Sequence, residues 1–174
     1  MPTTHSARPS TRRATATRRS AAPDAIKLLK ADHAEAKKLF AEFEKLAKAH
    51  APASRREAIA SEVCMMLTVH TTIEEEVFYP AAREALGSDD DLIDEAAVEH
   101  ASAKDLIEQI RSASPDDDMF DAKVKVLGEY IAHHVKEEQN ELFPKLKGKM
   151  DMRDIGAQLQ ARKQELLASA EAAH

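Results

Sequence analysis

Residues 66–80 read MLTVHTTIEEEVFYP, and residues 130–144 read YIAHHVKEEQNELFP. Counted back from the closing proline, each stretch carries a histidine and, four residues later, a glutamate: His70 and Glu74 before Pro80, His134 and Glu138 before Pro144. Residues four apart share one helix face, about 6 Å apart along the axis. Each pair also continues an apolar stripe of helical spacing, Ile59, Val63, Met66, His70, Ile73, Val77 in one stretch and Phe120, Val124, Leu127, Ile131, His134, Glu138 in the other. Both pairs are therefore expected to point into a helical core. Helix 4 offers a second pair, His133 with Glu137, but only His134 with Glu138 matches the counting of helix 2, so His133 is assigned to a neighbouring groove or solvent.

Working outward, each stretch is preceded by another helix with a histidine on its stripe. Helix 1 is expected to start at Pro23-Asp24, where proline and an acid suit an N-terminus, and to end near His50-Ala-Pro52. Its stripe reads Ile26, Leu29, His33, Ala36, Phe40, Phe43, Ala47. Helix 2 runs from about residue 54 to Leu86, with Gly87 as its C-cap and a kink expected at Pro80. Helix 3 follows the Ser88–Asp91 cap region, carries Ile93, Ala96, His100, Ala103, Ile107 and Ile110, and stops before Ser114-Pro115. Helix 4 is expected from about Asp116 to Pro144, and helix 5 from Met152 to Ala172, packed outside the bundle by a weaker stripe of Ile155, Leu159 and Leu166. Residues 26–43 align without gaps on 93–110, including His33-Ala-Glu-Ala-Lys37 against His100-Ala-Ser-Ala-Lys104. A duplicated helical hairpin implies an all-α, antiparallel up-down-up-down four-helix bundle of pseudo-twofold symmetry. The expected organisation is a disordered basic tail (1–22), the bundle (23–148) and a C-terminal helix packed on it (149–174).

Composition agrees with helices and excludes several classes. Four glycines, no tryptophan and abundant Ala, Glu, Lys and Leu favour helix. No apolar run is long enough to cross a bilayer. The single cysteine, Cys64, cannot form an internal disulfide and sits in the apolar run Val63–Leu67, so it reads as a small buried hydrophobe in a cytoplasmic protein. Residues 1–22 hold five arginines (Arg8, Arg12, Arg13, Arg18, Arg19) and no acid, within a net charge of −6 for the whole chain. That tail reads as a solubilising segment or an arm that touches nucleic acid or another polyanion. No hydrophobic stretch follows its Arg-Arg pairs, as a twin-arginine export signal requires.

A lone histidine on an apolar stripe is usually a hydrogen-bonded core residue, and a lone His/Glu pair is usually a surface contact. Together the six residues point elsewhere. Burying Glu74 and Glu138 unpaired costs several kcal/mol each, and no arginine occupies an adjacent inward position to neutralise them. Divalent cations held between the carboxylates would do so. Zinc prefers a closed tetrahedral set and calcium prefers oxygen alone, whereas mixed imidazole and carboxylate suits iron, with manganese behind it. Four imidazoles and two bridging carboxylates leave about one open position on each of two such ions that also share an oxo or hydroxo group.

His33 on helix 1, His70-x3-Glu74 on helix 2, His100 on helix 3 and His134-x3-Glu138 on helix 4 resemble the hemerythrin-like (HHE cation-binding) domain, as do the aromatic-proline ends of helices 2 and 4. The resemblance covers residues 24–145. It implies a non-haem centre of two oxo- or hydroxo-bridged iron ions, with those six residues as ligands and Glu74 and Glu138 as bridges. Oxygen-carrying hemerythrins have a second histidine one turn after the helix 3 histidine, where this chain has Lys104. That departure favours turnover of peroxide, dioxygen or nitric oxide over reversible oxygen carriage. Catalase-like peroxide dismutation is the most concrete reading, and oxygen or iron sensing or storage without catalysis is the alternative. Lys104 and Tyr130, one turn before His134, are expected as outer contacts of the site.

Overall fold

A computed structural model describes residues 23–87 and 91–172. The basic tail and Ser88–Asp90 of the helix 3 cap region lie outside the described residues. Five helices account for most of the rest. Helix α1 is Ala25–Lys48. Helix α2 covers residues 53–86 as Ala53–Ile73, a π turn over Glu74–Phe78, and Tyr79–Leu86. Helix α3 is Asp91–Ser112. Helix α4 covers residues 120–146 as Phe120–Glu137, a π turn over Glu138–Leu142, and Phe143–Leu146. Helix α5 is Met152–Ala172.

Each of α1–α4 packs on its neighbour in the chain, and α1 also packs on α4, which closes a four-helix ring. Helix α5 lies across α1 and α2. Among the described residues, no helix is long and apolar enough to cross a membrane.

Local chemistry sets the ends. The Asp24 carboxylate accepts from the Lys27 backbone N–H at 3.2 Å, the expected cap of α1. Asp151 does the same for α5, accepting from the N–H groups of Arg153 and Asp154 at 3.0 and 3.1 Å. Gly87 ends α2 at φ +88°, a region that favours glycine. Helix α4 starts at Phe120 rather than Asp116. The Asp117 carboxylate accepts from Ser114 N–H and the Asp117 N–H donates to the Ser114 carbonyl, a local pattern that competes with helix.

Near Pro80, where a kink or break is expected, the regular helix gives way to a π turn just before the proline, and Pro144 has the same. Tyr79 N–H bonds the Glu74 carbonyl and Phe143 N–H bonds the Glu138 carbonyl, five residues back in each case. The wider turn carries the chain into a proline that has no N–H to return. It also shifts the inward register by one, so Phe78 and Tyr79 are buried where Val77 was expected. On α1, Leu39 is buried and Phe40 is only partly so, with its ring 3.0 Å from the place a Cβ on Gly128 would occupy.

Two apolar clusters form the core. One gathers Leu39, Phe43, Val63, Leu67, Ile107 and Leu127 with their neighbours, and the other Leu29, Ile73, Phe78, Ile93, Leu142 and Leu159. Leu159 of α5 is fully buried, so that helix is part of the core rather than only an outer cover. It approaches closely because residue 156 is glycine: a Cβ there would meet the Pro23 carbonyl oxygen at 1.8 Å.

Candidate metal centre

Between the two apolar clusters lies a buried polar layer. His33, His70, Glu74, His100, His134 and Glu138 are each no more than 4% exposed. Helix α1 supplies His33, α2 His70 and Glu74, α3 His100, and α4 His134 and Glu138. All four imidazoles aim Nε2 at the carboxylates. His33 Nε2 lies 3.1 Å from Glu138 Oε2, and His70 Nε2 lies 3.2 Å from Glu74 Oε1. His100 Nε2 lies 3.4 Å from Glu74 Oε2, and His134 Nε2 lies 3.5 Å from Glu138 Oε2. Ligand-type atoms thus converge in two groups, His33, His70, Glu74 and Glu138 in one and Glu74, His100 and His134 in the other, with Glu74 common to both.

Several of these atoms lack hydrogen bonds. Nε2 of His33 and His70, both carboxylate oxygens of Glu74 and Oε2 of Glu138 are buried without a hydrogen-bond partner. Such atoms are rare in folded proteins, because each forfeits its water contacts for nothing. A cation would satisfy all five together. The spacing suits one as well. Nε2 of His100 and Nε2 of His134 are 3.1 Å apart, and two ligands at right angles on one ion, each about 2.1 Å from it, sit about 3 Å apart.

The electrostatics of these side chains follow from burial opposed by neighbouring charge. Burial pushes the His70 imidazolium down, but Glu74 and Asp32 outweigh it and raise its pKa to about 10. Burial pushes Glu74 up, and the neighbouring charge of His70 brings it down to about 2. His100 is lowered, mainly by burial.

Each imidazole also has a partner on Nδ1, facing outward. His70 Nδ1 lies 3.3 Å from Asp32 Oδ2, His100 Nδ1 3.0 Å from Glu75 Oε1, and His134 Nδ1 2.8 Å from Glu99 Oε2. The Gln139 carboxamide nitrogen lies 2.9 Å from His33 Nδ1, to which it donates. These contacts hold each ring's rotation and keep Nε2 turned toward the interior. Cations stand behind two of them. Lys163 of α5 pairs with Asp32, and Lys104 reaches Glu75 at 2.7 Å.

Lys104 thus acts on His100 through Glu75, while Lys37 is exposed. Tyr130 is 49% exposed and takes no part in the layer, because the face it occupies on α4 points out of the ring. The tyrosine in the site is Tyr79. Its hydroxyl donates to Glu138 Oε1 at 2.9 Å and lies 3.3 and 3.5 Å from Nε2 of His100 and His134. Burial and then the charges of Glu74 and Glu138 hold that phenol well above its ordinary pKa. The aromatic-proline motif already contained Tyr79, but its inward direction depends on the π turn. His133 is largely exposed and pairs with Glu99 and Glu137 at 3.5 and 3.2 Å.

Above the layer is a small cavity of about 10 Å³, walled on its apolar side by Ala36, Leu67 and Ile131 and on its polar side by the histidines. Space of that order admits about one water-sized molecule.

Comparison with known proteins places this geometry in context. Residues 24–146 match the hemerythrin HHE cation binding domain. The fold superposes with a TM-score of 0.71 on the crystal structure of a hemerythrin HHE cation binding domain-containing protein from Mycobacterium kansasii, at 22% identity, covering 86% of this chain and 91% of that one. At that identity the likeness concerns the fold. A protein named DNA nickase, from Nostoc sp., is 34% identical over 84 residues, which are 48% of this chain and only 23% of that protein.

Proposed function

This chain belongs to the hemerythrin HHE cation-binding domain family, and on that premise we propose that it holds a pair of iron ions and consumes hydrogen peroxide there, with dioxygen and nitric oxide as related small ligands. The observation that carries the reading is the shared carboxylate: Glu74 turns Oε1 toward His70 and Oε2 toward His100. His33 and His70 would hold one ion and His100 and His134 the other, with Glu74 and Glu138 shared between them. Mixed nitrogen and oxygen donors favour iron, with manganese as the second choice. Bound iron supplies the two-electron exchange by which one peroxide is reduced to two waters while a second is oxidised to dioxygen.

The chain's own residues supply the surroundings. Ala36, Leu67 and Ile131 exclude bulk water and limit the cavity to a small ligand. Tyr79 keeps its proton at neutral pH and presents it beside Glu138, where it orients a ligand by hydrogen bonding. Asp32, Glu75, Glu99 and Gln139 keep the imidazoles in place. Aerobically purified protein is expected to contain two irons per chain with near-ultraviolet charge-transfer absorption, both lost in His70→Ala. It is expected to release dioxygen from peroxide faster than the metal-free form. Two irons without turnover would favour the sensing or storage reading, and a chain that takes up no metal after anaerobic loading would end both.

A second reading concerns the tail. The partial likeness to a DNA nickase and the five arginines of residues 1–22 support contact with nucleic acid. It predicts salt-sensitive binding of plasmid DNA that is lost when those arginines are replaced by serine.

A further inference from the structure

The two halves of the repeat supply matched partners to the four imidazoles. Asp32, the residue before His33, backs His70, and Glu99, the residue before His100, backs His134. Glu75, the residue after Glu74, backs His100. Its mate after Glu138 is Gln139, which backs His33. Three of the four outer partners are thus carboxylates and one is a neutral carboxamide. The next repeat mates differ as well. Tyr79 reaches His100 and His134 with its hydroxyl, whereas Phe143 stacks its ring on His33 at 6.0 Å with the planes 1° apart.

We propose that the two metal positions are inequivalent, and that Gln139 makes the position between His33 and His70 the weaker, exchangeable one. The inference rests on the metal-pair reading above. A carboxylate on Nδ1 raises the basicity of the imidazole as a ligand and offsets the charge of the ion, and loss of such a partner typically costs about 10–100-fold in metal affinity. A carboxamide brings no charge, and this one turns its nitrogen, a donor, toward Nδ1 instead of an accepting oxygen. The His100/His134 position has a carboxylate behind both rings. The His33/His70 position has one, Asp32; a lysine stands behind one carboxylate at each position, Lys163 at Asp32 and Lys104 at Glu75, so the difference lies in Gln139. The paired position therefore fills first and empties last, and the protein passes through a form with one ion.

Anaerobic calorimetric titration with cobalt(II), chosen because it does not oxidise during the experiment, tests this on the full chain. Two steps separated by about tenfold or more are expected for the unaltered protein. Gln139→Glu should strengthen only the weaker step by about 10–100-fold and merge the two. The new carboxylate would occupy the repeat position of Glu75. The reciprocal Glu75→Gln should weaken the stronger step, leaving two similar weak ones. A purely structural role for Gln139 predicts no gain in affinity. Equal steps in the unaltered protein, or a weaker step that Gln139→Glu does not move, overturns the inequivalence while leaving the metal pair standing. Binding of fewer than two ions overturns the pair and the inequivalence with it.

Discussion

Replacing Glu74 by glutamine separates what the carboxylate does for the metal from what it does for the bare fold. Glutamine keeps the shape and resembles the protonated acid, so only the charge is lost. In the metal-free protein the Glu74 carboxyl is held at about 2 instead of its ordinary 4.5, against the cost of complete burial, chiefly by the charge on His70. At about 1.4 kcal/mol per unit, that difference means the ionised form stabilises the metal-free fold at neutral pH by about 3 kcal/mol. For a chain of this size each kcal/mol moves the melting temperature by roughly 2–4 °C, so Glu74→Gln should lower Tm by about 6–12 °C.

The sign has a pH signature. The Glu74 contribution is present above 4.5 and fades as pH falls toward 2, so the two proteins should converge in acid. Thermal unfolding followed by far-ultraviolet circular dichroism on chelator-treated protein reads this directly. The loaded proteins should differ further, since Glu74 serves both clusters and a ligand at a thousand times its dissociation constant adds about 4 kcal/mol. If metal-free Glu74→Gln proves as stable as the parent at neutral pH, the buried carboxylate is a liability tolerated for the metal, and the charge pairing with His70 is refuted.

Other perturbations follow from the same contacts. Because His70 holds a proton up to about 10, an incoming cation must displace it, and metal affinity should rise with pH across the neutral range while binding releases a proton into weak buffer. In the metal-free protein the His70 contribution is complete below its ordinary 6.5 and is lost as pH climbs toward 10, so Tm should be highest between about pH 4.5 and 6.5. Asp32→Asn removes a charge from behind His70 and the partner of Lys163, and should weaken metal binding by about 10–100-fold, measured by chelator competition. Gly156→Ala should lower stability by about 1–3 kcal/mol or more in denaturant unfolding, since its Cβ collides with the Pro23 carbonyl. Tyr79→Phe should alter peroxide turnover while Tyr130→Phe leaves it unchanged, compared in one oxygen-release assay.

The six inward residues of the metal layer were legible before any fold was known, for a local reason. Helical spacing puts His70 with Glu74 and His134 with Glu138 on apolar stripes, and the internal repeat sets His33 and His100 at matching depths. Periodicity and repetition are properties of short stretches, and the chain carries them without tertiary help. The choice of His134 over His133 came from the same counting, and the structure places His133 at the surface.

What surrounds those six was decided only when the helices met. Asp32 sits beside His33 in sequence but backs His70 across the helix boundary, and it is stabilised there by Lys163, 131 residues away. Such a contact depends on the rotation of one helix against another, which no periodicity along a single helix encodes. Tyr79 turned inward because a π turn before Pro80 added a residue to one turn, whereas Tyr130, on a regular turn, did not. Leu39 displaced Phe40 from the core by the same kind of small rotation. The difference between Glu75 and Gln139 was written in the chain, but it acquired meaning only when the fold set each behind a particular imidazole. The sequence by itself determined the helices, their repeat and the inward donors, because those follow from local spacing. Tertiary packing decided the orientation, charge and asymmetry of the centre, because those belong to pairs of helices.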